Sequence, residues 1–228
     1  MLLPTPYLPS SRAIWPGLLI ALLLLAGTQP ALAGPVEPDY LPLIGKPAQL
    51  AVFWHDQRWT PGDEYACALY AQASVMEAMG YNFARELETM RSLGQRDNWY
   101  NPQTGTIGLG QPFLAKGIAY QSFGSPVDDT LTHERALYRL QRELSAGQYV
   151  IVNINAQLLS YYRGSAITWH TLWITGMRFD GQGTATHVIA NDSYHGPAVE
   201  YPIDEFLNAW ASEFNYYGIF IQNHVGET

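Results

Sequence analysis

The chain of 228 residues holds one cysteine, Cys67, so no disulfide can form within it. Positive charge is also scarce. Twelve Lys and Arg stand against 20 Asp and Glu, a formal net charge of −8 without any basic cluster. That balance argues against nucleic acid and against anionic membrane surfaces as partners. Internal repeats and low-complexity tracts are lacking, while aromatic residues are plentiful, which suits an α/β or α+β core and leaves little room for a disordered tail. Long apolar runs are lacking too, except from Gly17 to Gly27, and that run is short for a bilayer span.

The run belongs to residues 1–33, which read as a secretory signal peptide. Arg12 is their only charge, and Ala31-Leu32-Ala33 fits small-residue cleavage ahead of Gly34. No cysteine lies near that point, so lipoprotein processing has no support. The mature chain is therefore expected to be exported, periplasmic or extracellular, with no membrane contact of its own. Loss of Arg12 takes the formal charge from −8 to −9. Residues 34–48, with Pro35, Pro38 and Pro42, read as an extended Pro-rich lead-in, and residues 49–228 as one domain.

In an exported chain a lone cysteine is either half of an intermolecular bridge or a free reactive thiol. Alternatively it is a small core residue, as a cysteine flanked by alanines often is. Its position favours reactivity. Thr60-Pro61-Gly62-Asp63 is turn chemistry, with Asp63 available as a helix cap, and Leu69, Ala73 and Met76 recur at helical spacing until Gly80. Cys67 thus opens a helix, where the positive end of the macrodipole and unpaired N–H groups favour thiolate, the nucleophilic form.

Leu50 to Trp54 reads as a short strand delivering Gln57 ahead of that helix; a side-chain amide there could donate to an oxyanion. Phe83 to Leu93 and Leu109 to Lys116 read as helices, with a loop from Gly94 to Gly110 between them. A strand is expected near Ile118–Tyr120, then a helix capped within Asp128-Asp129-Thr130 and carrying Leu137, Leu140 and Leu144. From Tyr149 the period becomes two. Tyr149–Ile154 and Thr168–Thr175 are strands, and Arg178–Gly183 is a hairpin turn before a strand from Thr184 to Ala190. That hairpin brings His170 and Asp192 to the same end, with Asn191 as the fallback if Asp192 points away. Val199–Tyr201, a helix with Ile203, Phe206, Leu207 and Trp210, and Tyr217–Ile221 complete an α+β chain. Trp99, Tyr100, Tyr161 and Tyr162 are candidates to line a groove. His187 and His195 near Asp192 make only a weak metal set, and no metal or cofactor is expected.

A helix-borne thiol, a strand-borne imidazole and a carboxylate form a Cys–His–Asp arrangement. The imidazole takes the thiol proton and later protonates the leaving amine, while the carboxylate orients the ring. Four passages in order resemble the C39-like branch of papain-fold cysteine peptidases, stand-alone relatives of bacteriocin-leader-processing domains. They are Gln57 ahead of Tyr65-Ala66-Cys67 and a helix ending Glu77-Ala78-Met79-Gly80-Tyr81; Leu144 to Asn153; Trp169 to Gly176; and Val188 to Asp192 followed by Tyr201 to Trp210. The resemblance implies a papain-like fold with the Cys helix packed on an antiparallel sheet that carries His and Asp. It also implies Cys67 as nucleophile, His170 as base and acid, Asp192 as orienter and Gln57 as oxyanion donor, acting on a peptide or protein substrate through a thioester. The chain departs from the family in having Ala68-Leu69 where Gly-Pro commonly follows the cysteine, and Ser193 where Pro commonly follows the aspartate. A catalytically silent peptide- or protein-binding domain and a cell-wall amidase or acyl transferase with the same triad are the alternatives. The oligomeric state has no signature in the sequence.

Overall fold

A computed structural model describes residues 43–106, 108–124 and 131–222. The signal segment 1–33, the first part of the lead-in and the Asp128-Asp129-Thr130 cap lie outside the described residues. The sheet is built by β1 (Leu43–Gly45), β2 (Tyr120–Phe123), β3 (Tyr149–Asn155), β4 (Trp169–Phe179), β5 (Ala185–Asp192), β6 (Gly196–Pro202) and β7 (Gly218–Ile221). Its order is β2-β7-β3-β4-β5-β6, with β1 added to the far part of β4, and every pair is antiparallel. The helices are α1 (Pro47–Leu50), α2 (Cys67–Ala78), α3 (Phe83–Arg96), α4 (Gln111–Ala115), α5 (His133–Ser145) and α6 (Ile203–Ala211).

Period-two alternation divides the sheet into two buried faces. Ile151, Trp173, Ile219 and Ile221 face α2, α3 and α4 together with Leu69, Val75, Met76, Met90 and Phe113. Val150, Val152, Leu172, Ile174 and Phe220 face α5 and α6, against Leu140, Leu144, Phe206 and Trp210. Both faces are covered, which explains why all seven residues of β3 are buried. The sheet therefore holds α2 on one side as a rigid platform.

α2 is a central helix. Every residue from Ala68 to Met76 is buried, so the expected one-sided stripe of Leu69, Ala73 and Met76 is only part of its packing surface. Four alanines let the sheet and α3 approach closely. Gln72 at its middle is satisfied, donating to the Ala68 carbonyl at 2.9 Å and accepting from the Gly110 N–H at 2.8 Å. Asp63 does not cap this helix. Its N-cap is Ala66, which supplies no side-chain bond, because the Asp63 carboxylate turns to the Tyr70 hydroxyl at 2.7 Å and to Arg91.

Two other expectations are corrected. Leu50–Trp54 is not a strand: α1 runs straight into a 3-10 turn at Ala51–Phe53, started by Pro47 in the first helical turn. Of the lead-in, Leu43–Gly45 joins the sheet beside β4. Gly45 permits this, since its φ is +93° and a Cβ would overlap the Thr175 carbonyl oxygen. The helix after residue 130 is capped by Thr132, whose side chain accepts from the Arg135 N–H.

Candidate active site

The loop between α1 and α2 is fastened to the end of β5. Trp54 Nε1 donates to the Asp192 carbonyl at 2.5 Å, the Gln57 N–H donates to the Ser193 carbonyl at 3.0 Å, and Ser193 Oγ donates to Gln57 Oε1 at 2.6 Å. These bonds bring the amino end of α2 to the open ends of β4 and β5. Cys67, His170 and Asp192 meet there.

His170 is the second residue of β4, paired with Ile154 of β3. It is buried, and its Nε2 donates to Asp192 Oδ1 at 2.9 Å. Asp192 is 0% exposed and closes β5 where the register to β6 shifts between Ala190 and Asp192. A bulge of this kind re-aims a side chain, here toward the imidazole. Its Oδ1 also accepts from the N–H groups of Tyr194 (2.7 Å) and His195 (3.2 Å), and its Oδ2 accepts from the hydroxyls of Tyr162 (2.7 Å) and Tyr201. Asn191 is turned elsewhere, donating to the Leu50 carbonyl and accepting from the Ala198 N–H.

Burial alone would neutralise all three groups. It works against the Asp192 charge, but the charge and hydrogen bond of His170 and the two tyrosine hydroxyls outweigh it and hold the carboxyl far below its usual range. Burial lowers His170 as well, but the charge and hydrogen bond of Asp192, with Cys67 behind them, push the imidazole well above its usual value. For Cys67 burial raises the thiol; the hydrogen bond and charge of His170, then Thr171, bring the net shift below the usual thiol range. The Thr171 hydroxyl donates to Asn153 Oδ1 at 2.8 Å, which leaves its oxygen facing the Cys67 sulfur at 3.8 Å.

Gln57 is buried and lies on the same cleft wall, but its Nε2 donates to the carbonyls of Asp63 (3.2 Å) and Glu64 (3.1 Å). Both amide hydrogens are thereby engaged in shaping the turn into α2. The Cys67 N–H opens α2 and so has no intrahelical acceptor, and the N-cap carries no side-chain bond, so the Cys67 main chain presents one donor beside the sulfur.

Cys67 and His170 open onto a cleft of about 990 Å³. Gln57, Glu64 and Tyr65 line one wall, Ile167–Thr171 another, and Gln103–Thr106 and Tyr194 the rim. None of the four aromatics expected to line a groove does so. Tyr162 and Tyr100 are buried, Trp99 packs on the core, and Tyr161 is exposed away from the lining. Tyr65 and Trp169, both more than half exposed, take that place. The signal for them was adjacency, because they lie two residues before Cys67 and one before His170. Among the described residues no group of His, Cys, Asp and Glu could hold a metal ion; the edge of the His195 ring packs instead on Tyr162. No helix of the described residues is long and apolar enough to cross a membrane.

Comparisons with known proteins are sparse. No family model matches the chain, and no curated protein matches it. A Bacillus anthracis protein proposed to be a C39-like peptidase superposes with a TM-score of 0.45 at 14% sequence identity, over 70% of this chain and 89% of that one. The likeness is too distant to carry residue roles across. The chemistry rests on the site itself.

Proposed function

We propose that this chain is an exported cysteine peptidase or related amide hydrolase of C39-like, papain-fold type, in which Cys67 is the nucleophile, His170 the base and acid, and Asp192 the orienter. The observation that carries the reading is His170 bonded through its Nε2 to a buried carboxylate on one side and sharing a cleft with the Cys67 thiol on the other. A structural thiol in a core needs neither partner. The thiolate attacks the scissile carbonyl carbon, forming a C–S bond, and the carbonyl electrons move to oxygen. As the tetrahedral intermediate collapses, the C–N bond breaks and the imidazolium gives its proton to the departing amine. Water then attacks the thioester with His170 taking its proton, and the acid product leaves Cys67 free.

The Cys67 N–H at the amino end of α2 is the oxyanion donor best supported here, aided by the helix dipole. Gln57, the donor implied by the family resemblance, gives its amide hydrogens to the Asp63 and Glu64 carbonyls instead and shapes the turn that presents this N–H. A peptide or protein is the substrate class that suits an open cleft with aromatic walls and both signs of charge at Arg58 and Glu64.

The test is cleavage of a peptide library by the mature protein, followed by mass spectrometry, with Cys67→Ala as control. Cleavage that vanishes in the variant, with an acyl adduct on Cys67, is the expected result. Absence of cleavage and adduct would leave the cleft as a peptide-binding site, and transfer to added amines in place of water would make the chain an acyl transferase. Export is tested in the same preparation, by an amino terminus at Gly34.

A further inference from the structure

Asp192 receives more hydrogen bonds than orienting an imidazole requires. One carboxylate oxygen, Oδ1, holds His170 and two main-chain N–H groups. The other, Oδ2, does not touch His170 at all and is taken by two phenols from separate parts of the chain. Tyr162 comes from the 3-10 turn Ser160–Tyr162 in the β3–β4 connection, and Tyr201 from β6. Both are fully buried, and burial next to the Asp192 charge pushes both phenols up, so both are protonated and can only donate to an acceptor-only carboxylate.

Two donors there answer a specific problem. In a dry site an Asp–His pair can relax by moving the proton from nitrogen to oxygen, leaving two neutral groups and a neutral imidazole beside the thiol. Charge-assisted bonds to the oxygen remote from His170 favour the ionised carboxylate without competing for the Nε2 proton. They also stop the carboxylate from rotating. Beyond the two main-chain N–H groups on Oδ1, the neighbouring charged side chains leave this task to the tyrosines. Cys67 lies beyond the imidazole, the Arg58 charge is paired with Asp56, and His195 is held toward its neutral form by burial.

We propose that Tyr162 and Tyr201 are positioning residues that keep Asp192 ionised and aligned on His170, and so keep His170 charged beside Cys67. The inference rests on the reading of Cys67 and His170 as a reacting pair, but its test has a readout of its own. His170 is titrated by NMR, and Cys67 by the pH dependence of iodoacetamide alkylation, in the mature protein and in Tyr162→Phe, Tyr201→Phe and the double variant. Phe retains each ring and removes only the hydroxyl. The expected result is a His170 pKa lower by about one pH unit in the double variant and by part of that in each single one, with the thiolate pKa rising in step. On peptide substrates kcat falls while KM holds.

An unchanged or raised His170 pKa in variants that melt cooperatively would overturn the proposal and make the two tyrosines packing residues. If the double variant does not fold, each single variant is judged by the same criterion. A wild-type Cys67 that titrates like a free thiol would contradict the peptidase reading, whereas the His170 shift would still decide the role of the tyrosines.

Discussion

Two buried aspartates in this protein solve the same problem with different partners. Asp63 and Asp192 are 4% and 0% exposed, and each accepts a tyrosine hydroxyl at 2.7 Å. Asp63 is paired with Arg91, whose guanidinium stays charged at every accessible pH. Asp192 is paired with His170, which can give up its proton. The first pair pins the turn before α2 to α3, and the Tyr70 phenol, pushed up by burial to about 12, completes a fixed knot. The second can change state during a reaction. Cavity access follows the same division, since His170 lines the cleft and neither Asp63 nor Arg91 does. A buried carboxylate is thus no sign of function until its partner is known.

The contrast can be broken at several points. Removing the nucleophile has the largest expected effect: Cys67→Ala should lower kcat/KM by about 10⁴-fold or more, measured on any cleaved peptide. Asp192→Ala should cost about 10³-fold in kcat by freeing the imidazole, and about 3–5 kcal/mol of stability because buried donors lose their acceptor. Denaturant titration and single-turnover kinetics check the two halves. Asp63→Ala should destabilise by about 3 kcal/mol through its buried pair, yet leave the folded fraction with activity far closer to wild type.

The pH dependence of stability sharpens the comparison further. The lowered pKa of Asp192 contributes stability that is complete above about pH 4 and lost as pH falls through its folded value. The raised pKa of His170 contributes stability complete below about pH 6.5 and lost as pH rises through its folded value. The melting-temperature gap between wild type and Asp192→Ala should therefore narrow above about pH 6.5, while the gap for Asp63→Ala should not. The smallest expected effect belongs to Thr171→Val, which keeps the shape and the main-chain N–H and removes only the hydroxyl oxygen facing sulfur; the thiol pKa should move by less than one pH unit.

Much of this was legible in the chain because strong local patterns coincide with packing. β3 begins with the apolar run Tyr149–Val152 and is buried throughout, as a doubly covered sheet requires, and α2 stops at Ala78 just ahead of Gly80, whose φ of +95° suits the helix stop that its position suggests. The strand expected at Leu50–Trp54 failed because Pro47 starts a helix that tertiary contact with the end of β5 then completes; propensity in a five-residue window cannot register that. Asp63 looked like a cap from its place in the turn, but Arg91 lies 28 residues away and outcompetes the helix N–H groups. Tyr162 sits in the sequence like a groove residue but is buried on Asp192, a partner 30 residues on that no periodicity marks. Gln57 illustrates the converse. Its presence near the site was readable, whereas the engagement of its amide by two carbonyls depends on loop geometry.

The central claim is that Cys67 and His170 share a proton as a thiolate–imidazolium pair. The pH dependence of Cys67 alkylation by iodoacetamide, compared between the mature protein and His170→Ala, tests it most directly. Alkylation that persists well below the ordinary thiol range and moves upward when His170 is lost is the predicted result. An unreactive Cys67, or one that titrates as a free thiol in both proteins, would contradict the account.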